Sequence, residues 1–177
     1  MVSLPLSARG KDAGPVRRLS PILSAQKYRD AYVTLDTSDW RFAERLEKKL
    51  AANPKLDLAP YRSAYLAHLQ QRAEAYRELS RLLLGREIPQ VLLIHHSLLN
   101  ALFLGDALDQ FKQLGWKFVD GDLAYADPIY QVAPEARVAG QSLLLSIARS
   151  RGLDVKPYER LMDDADFEMA ALEKQGL

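Results

Sequence analysis

Along this chain the spacing of apolar and polar residues switches between a period near two and a period near 3.6, and each switch marks an element. Residues 1–30 carry Pro5, Gly10 and scattered charges and read as an irregular lead-in, with a weak helical pattern at Val16, Leu19, Ile22 and Leu23 interrupted by Pro21. Ala31-Tyr-Val-Thr-Leu35 is a short β-rich run, closed by Asp36-Thr-Ser-Asp39. Thr37 or Ser38 is a natural N-cap for the helix that follows, in which Phe42, Leu46 and Leu50 share a face and Glu44 pairs with Lys48. Asn53-Pro54 ends that helix. From Tyr61 to Leu84 a long stripe (Tyr61, Tyr65, Leu69, Arg72, Tyr76, Leu79, Leu83) predicts a second helix, stopped by Gly85.

Gln90-Val-Leu-Leu-Ile94 is apolar enough for a parallel strand buried on both faces. Ser97 or Asn100 opens a third helix, with Ala101, Leu104, Leu108 and Phe111 facing inward and Gly115 at its end. Trp116–Val119 reads as a third strand, Asp120–Ala126 as a helical turn broken by Asp127-Pro128, and Gln141–Ser150 as a further helix. Beyond Gly152 the tail is acidic, with one weak helix near its end. Strands alternating with helices imply an α/β fold with parallel strands: a partial (β/α) barrel or a small open parallel sheet with flanking helices. The organisation is a lead-in over 1–30, a domain over 31–152 and a tail over 153–177.

Composition narrows the function. Apolar residues make up 48% and charged residues 27% of 177, so a core can form, and a net charge of +1 without a basic block argues against nucleic acid or anionic membrane as partner. The absence of cysteine excludes disulfides, thiolate metal sites and cysteine nucleophiles. The apolar run Val91–Ile94 is far too short to span a bilayer, and no signal-peptide pattern stands at the N-terminus, which makes the cytoplasm the default compartment.

Chemistry in parallel α/β folds gathers at the carboxyl ends of strands. Two polar clusters hold that position: Asp36-Thr-Ser-Asp39-Trp40 and His95-His96. Neighbouring strands would bring an aspartate to a histidine, a pairing that fixes the tautomer and suits a general acid. Spacing alone leaves open the plainer alternative, in which Asp39 caps a helix and a histidine is a hydrogen-bonded strand end. His95 and His96 point to opposite sides, so at most one faces the site. His68, beside Leu69, reads as a satisfied core residue, the tyrosines at 61, 65 and 76 as packing, and Asp163, Asp164 and Asp166 as a solvated segment. There is no HxxxH, HExxH or GxSxG spacing, and Gly140-Gln-Ser142 is not a nucleophile elbow.

Val33-Thr-Leu-Asp-Thr-Ser-Asp-Trp40, Ala59-Pro-Tyr-Arg62 with Tyr65-Leu-Ala-His68, and Leu92-Leu-Ile-His-His-Ser-Leu-Leu-Asn-Ala101 together resemble one family. So do Leu114-Gly-Trp116, Ala126-Asp-Pro-Ile-Tyr130 and Gly140-Gln-Ser-Leu143. The set is similar to the later part of the NodB-homology polysaccharide deacetylases, over about residues 30 to 152. The resemblance implies a distorted (β/α) barrel, a divalent metal (usually zinc) and hydrolysis of acetyl groups on a sugar polymer. It makes His95 the general acid and Asp39 the group that orients and tunes it. Trp40 would help line the groove, with Asp36 a weaker candidate for the tuning role.

The departures are as informative. The family's first motif, with two aspartates, and its second, with two histidine ligands four residues apart, have no counterpart here. Its arginine–x–proline–aromatic motif has at best a remnant in Ser3-Leu-Pro-Leu6, so the chain is expected to begin near that point of the domain and to lack the metal and base side. No bound metal is therefore expected in this chain, which reads as inactive alone. Self-association, or a complementing amino-terminal half, would cover the open sheet. Two other readings stand beside this one: a non-catalytic module that binds carbohydrate or protein through Trp40, Trp116 and exposed aromatics, and an enzyme that recruits His68, His95, His96 and tail aspartates as ligands.

Overall fold

The computed structural model describes residues 22, 25–28, 31–132, 142–158 and 165–177. Most of the expected lead-in helix, the Ser3–Leu6 segment, Gly140, Gln141, Asp163 and Asp164 lie outside the described residues. The elements are β1 (Leu35–Asp36), α1 (Asp39–Ala52), α2 (Ala59–Leu84), β2 (Leu92–Leu93), α3 (Leu98–Gln113), α4 (Gly121–Tyr125), a 3₁₀ turn (Pro128–Gln131), α5 (Leu143–Ser150) and α6 (Ala165–Lys174). The result is a mostly helical α/β mix around a two-stranded parallel sheet, with Leu35 opposite Leu92 and Asp36 opposite Leu93. The described residues form no barrel. None of their helices is long and apolar enough to cross a membrane.

The long helix α2 organises the core. All seven residues of its apolar stripe, Arg72 included, are buried, because i, i+4 and i+7 positions return to one face. That face receives β1, α3 and α5, while α1 packs against α2, α3 and α6. Gly85 ends α2 at φ 68, a left-handed conformation that costs glycine little. In α5 five apolar residues, Leu143, Leu144, Leu145, Ile147 and Ala148, are buried, the pattern of a helix enclosed on nearly all sides. Ser142 caps it, its Oγ accepting the Leu145 N–H.

The sheet is held at its amino end by hydroxyl groups rather than by a longer ladder. Thr34 Oγ1 accepts the Val91 N–H (2.8 Å) and donates to Tyr130 Oη (3.1 Å), which donates in turn to Pro89 O (2.6 Å). Tyr125 Oη donates to Tyr32 O, and Leu143 N donates to Val33 O. Arg86 forms a two-bonded pair with Asp127 at 2.7 Å beside them. The tail folds back: Leu172 and Leu177 are buried, and Arg45 donates twice to the Leu177 carbonyl.

Four expectations need correction. Val91–Ile94 is half-buried rather than enclosed on both faces, because among the described residues no helix packs extensively on β2. Trp116–Val119 is not a strand. After Gly115 (φ 84) the Trp116 N–H donates back to Phe111 O and its ring packs on Phe111 and Arg77, directing the chain away from β2. Phe118 and Val119 are left 53% and 51% exposed. The inward face of α3 is Leu99, Asn100, Phe103, Ala107 and Phe111, whereas Ala101 is exposed. Glu44 pairs with Arg41, one turn back.

Candidate functional site

The site grows from the turn between β1 and α1. The Asp36 carboxylate accepts the Ser38 N–H (3.0 Å), Thr37 Oγ1 donates to Leu93 O (3.1 Å), and His68 Nε2 donates to Thr37 O (2.6 Å). Ser38 sits at φ 49, a left-handed conformation costing a non-glycine residue on the order of 1–2 kcal/mol, and these three bonds offset that strain. Ser38 occupies the N-cap position without a side-chain capping bond. Asp39 is consequently the first residue of α1 and directs its carboxylate across to the end of β2.

Asp39 is wholly buried, and three donors converge on it. His95 Nδ1 donates to Oδ1 at 2.7 Å, the His95 N–H to Oδ2 at 2.9 Å, and Asn100 Nδ2 to Oδ2 at 2.6 Å. Asn100 Nδ2 also donates to His95 O (2.8 Å), and Asn100 Oδ1 accepts from Tyr65 Oη (2.6 Å). Burial holds the Tyr65 hydroxyl well above the ordinary phenol range, with Asp39 adding to the effect, so it stays a donor. With Nδ1 committed to Asp39, Nε2 is the remaining proton-exchanging atom of the His95 ring, whose side chain is 38% exposed. Such a residue can give or take a proton at Nε2 while Asp39 holds the ring.

The neighbours differ. His68 is buried, and that burial, with the nearby Arg72 charge, lowers its pKa to about 4 against the pull of Thr37 O and Asp39. It is neutral at ordinary pH and serves the turn. Burial raises Asp36, opposed by the Ser38 N–H and by Arg72, so its charged form is disfavoured. Trp40 lies beside Asp39 on the first turn of α1, half-buried, with the Arg41 guanidinium 4.2 Å from its ring centre. His96 is exposed.

His95 and Asp39 are thus brought together as expected from their strand-end positions, and Asp39 is not reduced to a helix cap. Asn100 and Tyr65 are the residues that sequence reasoning missed, having assigned them to capping and packing. The one signal was a polar amide inside Leu98-Leu-Asn-Ala-Leu102. Among the described residues the donor set does not fit zinc: His68 is spent on Thr37 and His95 Nδ1 on Asp39. No three histidine, aspartate or glutamate side chains converge among the described residues. No protein-family model, curated protein or solved structure matches this chain.

Proposed function

We propose that the chain carries the proton-donating side of a polysaccharide-deacetylase-like site, with His95 as general acid and Asp39 as the carboxylate that orients it. One observation carries the reading: the 2.7 Å bond from His95 Nδ1 to a fully buried carboxylate, which leaves Nε2 to meet a leaving group. A histidine so held protonates the sugar nitrogen or oxygen as its bond to the acyl carbon breaks. The parallel pair β1–β2, its helical crossover and a site at the strand carboxyl ends are consistent with part of a (β/α) barrel. On this reading the base and the metal come from a further segment, in the same chain or another, and the site described here is inactive without it. The β2 edge, which pairs with no strand among the described residues, is where self-association or such a segment would add backbone bonds.

The test measures acetate release from acetylated chito-oligosaccharide and acetylated xylan with zinc present. The full chain is assayed alone and mixed with a deacetylase amino-terminal segment bearing paired aspartates and HxxxH. Release in the mixture only, abolished by His95→Ala, supports the reading. Release by the chain alone with stoichiometric zinc overturns its dependence on a second segment. Absence of release throughout, with oligosaccharide binding that His95→Ala leaves unchanged, replaces the enzyme by a binding module.

A further inference from the structure

The Asp39–His95 pair is held by a second layer that the proton-transfer reading does not require, and that layer has a definite chemical consequence. Asn100 bridges three groups: its amide nitrogen lies 2.6 Å from Asp39 Oδ2 and 2.8 Å from His95 O, and its amide oxygen 2.6 Å from Tyr65 Oη. Both groups facing the nitrogen are pure acceptors, so a flipped amide would set oxygen against carboxylate and carbonyl. The Tyr65 hydroxyl, kept protonated by burial, donates to the amide oxygen and fixes the same orientation from the other side. The Asn100 backbone is anchored by its N–H bond to the Ser97 side chain in the first turn of α3. The bridge pins Asp39 Oδ2, and the opposite oxygen, Oδ1, is left aimed at His95 Nδ1.

We propose that Asn100, oriented by Tyr65, is a positioning residue that sets the tautomer of His95, holding the proton on Nδ1 and the lone pair of the neutral ring on Nε2. The inference rests on the reading of His95 as the proton-transferring residue, but it concerns the ring's resting state and needs no substrate. The charged and titratable groups facing the ring are Asp39 on the first turn of α1 and Asp36 at the end of β1, and Arg72 on α2 lies near Asp36 in turn. Asn100→Leu removes the bridge while keeping the branching at Cγ. Tyr65→Phe removes only the hydroxyl that orients it.

The experiment is imidazole ¹⁵N and ¹H NMR on the labelled full chain above the histidine titration range, with thermal melts run alongside. Wild type is expected to show His95 with an unprotonated Nε2 and a slowly exchanging Hδ1. In Asn100→Leu the Nε2–H form that free histidine favours appears and Hδ1 exchange quickens about tenfold, the effect of losing one charge-assisted hydrogen bond. Tyr65→Phe moves both signals the same way by less, and it decides the matter if Asn100→Leu does not fold. An unchanged tautomer and exchange rate in a folded Asn100→Leu, or in Tyr65→Phe should the former not fold, overturns the proposal and assigns the ring to Asp39 alone. A wild-type ring carrying its proton on Nε2 overturns it as well. Failure of acetate release in the mixture with the amino-terminal segment, with the NMR signature intact, sinks the deacetylase reading and leaves this one standing.

Discussion

The two ends of the same short sheet are built from different chemistry. At the amino end Thr34, Tyr130 and Tyr125 tie the entering strands together through hydroxyl groups and backbone carbonyls. Nothing in that hydroxyl chain changes charge near neutral pH, and burial pushes Tyr130 up to about 12. At the carboxyl end the links run through Asp36, Asp39, His68, His95 and Asn100, where protonation states differ from residue to residue. Both ends do the structural task of joining β1 to β2. Only the carboxyl end does it with groups that can also move a proton, so mutations there should disturb stability and chemistry together, and mutations at the amino end stability alone.

Removing the carboxylate should produce the largest effect. Asp39→Ala leaves the His95 N–H, the His95 ring and the Asn100 amide without their shared buried acceptor, and a loss of about 3 kcal/mol is expected in denaturant unfolding. A loss no greater than that of an amino-end substitution would show the two ends to be equivalent. Acid should act next. The folded-state pKa of His68 is lowered to about 4 from 6.5, so its contribution is fully present above pH 6.5 and lost as pH falls toward 4. Up to about 3 kcal/mol is at stake, since each tenfold change in proton affinity is worth about 1.4 kcal/mol. Melts of wild type and His68→Leu between pH 7 and 4 should show a decline in the former that is reduced in the latter; parallel declines would place the acid sensitivity elsewhere. The smallest effect belongs to the amino end. Tyr130→Phe removes the hydroxyl between Thr34 and Pro89 and should cost about 1–2 kcal/mol. That cost should be the same at pH 5 and pH 7, with the His95 NMR signals unmoved. A pH-dependent cost would join the two ends into one network.

How much of this was legible in the sequence varied from element to element. The α2 stripe was readable because its apolar positions leave a charged face opposite, so the period has only one solution. In α3 the period was ambiguous: Leu98, Leu99, Leu102, Phe103, Leu104 and Leu108 put apolar side chains on more than one face. Contacts with α1 and α2 selected the Leu99–Phe103–Ala107 face and left Leu98 and Leu102 exposed at 41% and 42%. Trp116–Val119 has strand-like residues, but strand formation needs a neighbour, and the Trp116 contacts with Phe111 and Arg77 draw the segment elsewhere. For the site, His95 and Asp39 were identifiable from their places after apolar runs. Asn100 and Tyr65 were not, since they meet across 35 residues and from different helices.

The sequence by itself determined the helices with a single apolar stripe, the glycine-stopped boundaries, the Ser97 cap of α3 and the two polar clusters that follow the strands. These depend on residues a few positions apart, and local periodicity records such relations directly. Tertiary structure alone decided which face of α3 turns inward, that the sheet stops at two strands among the described residues, and that one buried carboxylate is shared by His95 and Asn100. Those outcomes depend on which distant groups compete for the same partner. A hydrogen bond such as that from Tyr65 to Asn100 leaves no mark on the spacing of either residue.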